Sequence, residues 1–289
     1  MKPAIFDYYA PSTIDDVMAL LKRHGSDARL LAGGQTLLPM MNFRLAAPEV
    51  IIDLNRIPEL AFIREAGGQV HSGAMTRQRT LEFSPVIARD LPLLHEAIKM
   101  VGHLPTRSRG TIGGSLANAD SAAEIPMILQ VLEGEVLVRG PSGERTIPAA
   151  ELVLDAMTTS LAEDEMLAEV RFPVMPKAAL FAVEEFSRRH GDFAIAAVAA
   201  MLVMKDGLCE KARIATAGVS SFSSRLRAAE GALEGRPVDA DAIERAGEAA
   251  AAAVEPVSDR NASEEYRRHL TRVLTRRVLK RAADSSKPH

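Results

Sequence analysis

Two glycine pairs constrain this chain more than any other feature. One lies in Leu31-Ala32-Gly33-Gly34-Gln35-Thr36; the other, 80 positions later, lies in Thr111-Ile112-Gly113-Gly114-Ser115. Each follows apolar residues that suit a strand, and each runs into small polar side chains. Glycine permits positive φ and close backbone approach. Successive backbone N–H groups then converge into an anion-binding nest. A diphosphate needs such donors and needs neither a metal nor a strong base. Two nests in one domain therefore point to a diphosphate held from both sides. The alternative is two ordinary tight turns, because glycine answers any demand for positive φ.

The other common phosphate and catalytic patterns are absent. No Gly-x-Gly-x-x-Gly follows a strand, which removes the dinucleotide fingerprint. No Gly-x₄-Gly-Lys-Ser/Thr is present either. His95-Glu96 has no histidine three residues on, so it is not a zinc-protease pair, and no Gly-x-Ser-x-Gly elbow occurs. The single cysteine, Cys209, excludes an internal disulfide, a Cys₂ or Cys₄ metal site and a self-contained iron–sulfur cluster. The seven histidines are scattered, and no metal ligand set or catalytic residue is assigned. With 35 basic against 38 acidic side chains, the charge gives no footprint for nucleic acid. The longest apolar run, Phe193 to Met204, has twelve residues, too few to cross a membrane. The first residues, Met1-Lys-Pro-Ala-Ile-Phe-Asp, lack the apolar stretch of a secretion signal. These features predict a cytoplasmic chain with no transmembrane segment and no nucleic-acid partner.

A length of 289 residues favours two domains. Ser12 and Thr13, each with an acid three places on, open a helix that carries Ile14, Val17, Leu20 and Leu21 and ends at Gly25. Leu30-Leu31, Val50 to Leu54 and Val70 to Gly73 read as strands; Leu91 to Val101 reads as a helix. Pro126 suits the first turn of a helix reaching about Glu133. Val136 to Val138 and a strand ending at Pro173 follow. Val174-Met175-Pro176-Lys177 is the expected boundary between a domain of residues 1–175, with lobes of about 1–55 and 56–175, and one of residues 178–286. In the second domain, strands at Phe181 to Phe186, Ala194 to Met204 and Ala212 to Val219 precede helices at Ser224 to Glu234, Asp239 to Val254 and Glu264 to Arg281. Strands followed by helices predict an α+β fold. The arginine-rich last helix predicts a solvated or partner-facing surface.

Leu31 to Pro39 and Arg109 to Asp120 together resemble the FAD-binding medium subunit of bacterial molybdenum hydroxylases, a family that includes carbon monoxide dehydrogenase medium chains and the flavin domain of xanthine dehydrogenase. The likeness begins at Phe6-Asp7-Tyr8, continues through Gly73-Ala74-Met75-Thr76 and includes Arg188-x-x-Gly191-Asp192-Phe193-Ala194. It implies a two-lobed FAD-binding domain of the vanillyl-alcohol-oxidase type, followed by a C-terminal domain of a small antiparallel sheet plus helices. By the same likeness, the stretch from Leu31 through Ala32, Gly33, Gly34, Gln35 and Thr36, with Thr111, Ile112, Gly113, Gly114 and Ser115, holds the FAD diphosphate. Val101 and Asn118 lie along the cofactor, Glu124 reaches ribityl or ribose hydroxyls, and Leu167 packs on the adenine side. Phe193 stands where relatives place an aromatic near the isoalloxazine; a core aromatic is the alternative. Ser115 replaces a commoner asparagine. Glu185 replaces a lysine that reaches the flavin in many relatives, and a carboxylate there opposes negative charge on reduced flavin. Arg188 or Arg189 is a candidate substitute.

The family's chemistry implies an oxidoreductase subunit. Electrons released at a large molybdopterin subunit pass through 2Fe-2S clusters of a small subunit to FAD here, and on to a soluble or quinone acceptor. A self-sufficient flavin oxidoreductase of the same fold is one alternative, and a scaffold subunit lacking FAD is another.

Overall fold

Thr13 caps the first helix as its spacing from Asp16 predicts: its hydroxyl oxygen accepts the Asp16 N–H at 3.2 Å. The computed structural model describes residues 2–285. The expected end of the second domain, residue 286, lies outside them. The first lobe contains β1 (Asp7–Tyr9), α1 (Ile14–His24), β2 (Ala28–Leu31), α2 (Leu37–Asn42) and β3 (Val50–Asp53). Its three strands are parallel, in the order β1-β3-β2. Ile14, Val17 and Leu21 of α1 pack on Val50 and Ile52 of β3, which buries the apolar stripe.

The second lobe begins with β4 (Ile63–Ala66) and β5 (Gln69–Gly73), then runs through α3 (Gln78–Phe83), α4 (Pro85–Asp90), α5 (Pro92–Ala97), α6 (Leu104–Arg109), α7 (Ile112–Asn118) and α8 (Glu124–Val131). It closes with β6 (Glu135–Gly140), β7 (Gly143–Pro148), α9 (Ala149–Leu152), the hairpin β8 (Val153–Asp155) and β9 (Thr158–Thr159), and β10 (Met166–Pro173). The antiparallel sheet has the order β4-β5-β10-β6-β7. Two expected boundaries shift here. The helix expected through Val101 stops at Ala97, and the chain continues in short-range turns, with Met100 N–H on Ala97 O and Val101 N–H on Ile98 O. Helix α8 starts at Glu124, two residues before Pro126, because proline fits any position of a first turn whose N–H has no helical acceptor.

The C-terminal region contains β11 (Leu180–Phe186), β12 (Ala196–Lys205), β13 (Leu208–Ala217), β14 (Ser224–Arg225), α10 (Arg227–Gly231), α11 (Ala240–Ala253) and α12 (Glu264–Asp284). The expected helix at Ser224 is instead a short strand pairing with Ala215 and Thr216, and the helix begins at Arg227. Strand β12 reads as a continuous apolar run because both of its faces are covered. Ala197, Ala199 and Met201 join the core of the second lobe, while Ala196, Val198, Ala200 and Leu202 join α11 and α12. The charged face of α12 is solvated at Arg277, Lys280 and Arg281, as expected, and many of its arginines are held by ion pairs within the chain. Arg272 and Arg276 bind Glu248 at 3.0 and 2.8 Å, Arg277 pairs with Glu184, and Arg281 reaches Glu96 at 3.3 Å. Arg267 is buried and donates to the Ile195 and Gly218 carbonyls at 2.7 and 2.5 Å.

Candidate functional site

The first glycine segment leaves β2 and turns into α2. Gly34 has φ of +71°, which side chains rarely adopt. Gly33 is needed for a different reason. A Cβ there falls 2.5 Å from the Arg109 carbonyl oxygen and 2.8 Å from Gly110 Cα. The first segment is thus pressed against the backbone that leads into the second. The N–H groups of Gly33, Gly34, Gln35 and Thr36 find no protein acceptor among the described residues. They form the open donor set expected of a nest.

The second segment differs from its expected form. It is not a loop after a strand but the first turn of α7, capped by Thr111. Its donors are taken: Ile112 N–H by Thr76 O at 3.1 Å, Gly113 N–H by Ala74 O at 2.9 Å, and Gly114 N–H by Thr111 Oγ1 at 3.0 Å. Neither of its glycines has positive φ. Gly113 permits close packing, since a Cβ there falls 2.5 Å from Ala74 Cβ and 2.7 Å from Ala74 O. A Cβ on Gly114 falls 3.3 Å from Ala32 Cβ, in the first segment.

Between the segments opens a cleft of about 1000 Å³, within the size range of cofactor sites. Leu31, Ala32, Gly33, Gly34, Gln35, Thr36, Val101, Thr111, Gly113, Gly114, Ser115, Asn118, Glu124, Leu167 and Phe193 all line it. Ile112 is the exception. Its side chain is fully buried in the second-lobe core, so it supports the segment from behind. Phe193 is 66% exposed on the cleft wall, which removes the core-aromatic alternative. Neither Arg188 nor Arg189 lines the cleft; Arg188 reaches Asn261 Oδ1 at 3.4 Å instead. Sequence reasoning missed the walls given by Arg29 and by Met157 and Thr158 of the β8–β9 hairpin. No local motif marks them, since they arrive through the tertiary fold.

Glu124, the first residue of α8, is buried and meets Glu185 of β11 across the boundary between the two regions. Burial, with Glu185 and Asp120 close by, pushes the Glu124 carboxyl up to about 8. Burial likewise raises Glu185, to about 7. One Glu185 oxygen, Oε2, is buried without a hydrogen-bond partner. Two carboxyls in such a place do not both ionise, so near neutral pH the pair keeps a proton. Glu185 therefore does not stand as the isolated negative charge expected from its position.

The cleft fits a dinucleotide diphosphate. It offers four open backbone donors and the Thr111 and Ser115 hydroxyls. Among the described residues, no group of three or more His, Cys, Asp or Glu side chains is placed to hold a metal ion. No helix among them is long and apolar enough to cross a membrane.

Comparison with known proteins agrees with this geometry. Residues 4–175 match the family described as the FAD binding domain in molybdopterin dehydrogenase. Residues 181–282 match the CO dehydrogenase flavoprotein C-terminal domain. The chain is 38% identical over 289 residues to the 6-hydroxypseudooxynicotine dehydrogenase complex subunit alpha of Paenarthrobacter nicotinovorans, covering 100% of this chain and 98% of that one. It is 38% identical to the carbon monoxide dehydrogenase medium chain of Hydrogenophaga pseudoflava, covering 98% of each. Among solved structures, carbon monoxide dehydrogenase from Hydrogenophaga pseudoflava superposes with a TM-score of 0.97 at 39% identity, over 98% of this chain and 99% of that one. Quinoline 2-oxidoreductase from Pseudomonas putida 86 gives 0.94 at 34% identity, over 99% of both.

Proposed function

Because this chain belongs to the FAD-binding medium subunits of molybdenum hydroxylases, we propose that it works as the electron-transfer flavoprotein of such a complex. In this reading, electrons arrive from the 2Fe-2S clusters of a small subunit, which a large molybdopterin subunit supplies, and leave to a soluble or quinone acceptor. Bound FAD supplies the redox chemistry, taking up electrons singly and releasing them as a pair.

The chain's own residues bind and orient. The N–H groups of Gly33 to Thr36 would hold the diphosphate from one side, and the Thr111 and Ser115 hydroxyls from the other. Val101 and Asn118 would lie along bound FAD, Leu167 would pack on its adenine side, and Phe193 would stand by its isoalloxazine; all four line the cleft. Glu124 would accept or donate a hydrogen bond at the ribityl or ribose hydroxyls, and the raised values of Glu124 and Glu185 would limit negative charge there. In the same reading, an FAD-binding domain of residues 1–175 meets a C-terminal domain of residues 178–286 at Val174 to Lys177, and the complex works in the cytoplasm. The observation that carries the reading is the open donor set of Gly33 to Thr36 on a cleft of cofactor size.

The test is to purify the chain alone and with its co-expressed neighbours, record visible spectra and quantify flavin. FAD in the assembled complex, with no turnover by the chain alone, supports the proposal. Colourless protein in both preparations overturns it and leaves the scaffold alternative. Substrate turnover by the isolated flavoprotein overturns it in favour of a self-sufficient oxidoreductase.

A further inference from the structure

The two glycine segments belong to different lobes, so something must set the gap between them. Asn55 follows β3 in the first lobe, and Asp53 holds it: Asp53 Oδ1 accepts the Asn55 N–H at 2.9 Å and Asn55 Nδ2 at 2.5 Å. The Tyr8 hydroxyl donates to the other Asp53 oxygen at 2.5 Å. Thus held, Asn55 Nδ2 donates to the Ala32 carbonyl at 2.9 Å, at the start of the first segment. Its Oδ1 accepts from Arg77 Nη2 at 2.5 Å. Arg77 belongs to the second lobe, and its Nη1 donates to the Arg109 carbonyl. That oxygen is the atom on which Gly33 rests. One guanidinium and one amide thus tie Ala32 O to Arg109 O across the lobe boundary.

We propose that Asn55 and Arg77 form a clip that fixes the spacing of the two glycine segments and so positions them for the cofactor diphosphate. The proposal rests on the reading that the cleft binds FAD. Neither residue lines the main cleft, so both are positioning residues and not ligand contacts. The chemistry of the clip needs these side chains. Guanidinium presents divergent N–H groups in one plane and reaches two acceptors at once, whereas an ammonium is a point charge with no such fork. Asparagine alone among the small side chains offers a donor and an acceptor on one rigid amide. Asn55 and Arg77 also line a second, smaller cavity of about 330 Å³, which leaves room for a small planar cation.

The test uses the full chain purified with its neighbours, stripped of flavin and titrated with FAD by fluorescence quenching. The thermal midpoint of the flavin-free protein is recorded beside each titration. Asn55→Ala and Arg77→Ala are each expected to weaken FAD binding roughly tenfold or more, from the loss of hydrogen bonds to or from a charged group. The double variant loses little beyond the larger single effect, because the two residues act in series. Millimolar guanidinium restores binding to Arg77→Ala and not to Asn55→Ala, a rescue that a general loss of fold does not show. Wild-type affinity in a folded Arg77→Ala overturns the clip, as does a loss that guanidinium leaves unchanged. Should Arg77→Ala fail to fold, the exposed Asn55 decides, and unchanged affinity in Asn55→Ala overturns the proposal. A wild-type complex that takes up no FAD overturns the site reading itself, while a wild type that binds FAD alongside an equally competent Asn55→Ala overturns the clip only.

Discussion

The two glycine segments look alike as sequence and differ as structure. Residues 33–36 keep their N–H groups open, with positive φ at Gly34 and Gly33 needed for room against the Arg109 and Gly110 backbone. Residues 112–114 have their N–H groups taken by Thr76, Ala74 and Thr111, and need glycine for room. The first segment presents open donors to the cleft, the surface proposed to bind, and the second is a packed platform against which the first rests. A Gly-Gly pair states that a side chain is excluded; only the surroundings say whether the backbone N–H groups beside it are left open or taken.

This contrast predicts a division of effects. Gly33→Val drives a side chain into the Arg109 and Gly110 backbone and forces the two segments apart. Overpacking of this kind costs about 1–3 kcal/mol, which corresponds to a roughly 5- to 150-fold loss in FAD affinity when the opened gap is felt at the diphosphate. The flavin-to-protein ratio after gel filtration checks it. Gly113→Ala meets Ala74 instead, so it lowers the stability of the flavin-free protein by about 1–3 kcal/mol, read from a urea midpoint, before any effect on binding. An FAD-specific effect at Gly113 with unchanged stability would break the distinction.

The carboxyl pair gives a pH-dependent counterpart. Glu124 and Glu185 have folded values of about 8 and 7, both above their ordinary 4.5. The folded state therefore holds protons that the unfolded state releases, and stability falls as pH rises from about 4.5 towards 8. Glu185→Gln removes one acid, flattens this slope and gains stability relative to wild type at the alkaline end. Thermal midpoints of both proteins across that range measure it, and parallel curves would show that the pair does not share a proton. The smallest effect is expected from Thr111→Val, which removes the cap of α7 and costs about 1 kcal/mol in the platform.

Features with a local cause are legible in the sequence. The Thr13 cap, the Gly25 end of α1 and the three long strands of the C-terminal sheet follow from spacing, capping and apolar runs. The cleft was legible because its two glycine segments and Phe193 carry a family likeness. What escaped is what depends on distant partners. Strand β1 has only three residues, and its pairing with β3 alone makes it a strand. Asn55 and Arg77 stand in unremarkable sequence and matter only through Ala32 and Arg109. The meeting of Glu124 and Glu185 spans two regions of the chain, and neither residue announces the other. The α12 arginines read as a surface because their acidic partners on α11 lie some 24 to 32 positions away.

The most direct measurement is a crystal structure of the assembled complex with FAD bound. The account predicts the diphosphate within hydrogen-bonding distance of the N–H groups of Gly33 to Thr36, with Thr111 and Ser115 facing it and the Asn55–Arg77 clip intact behind. A diphosphate bound elsewhere, with those four N–H groups facing water, would contradict it.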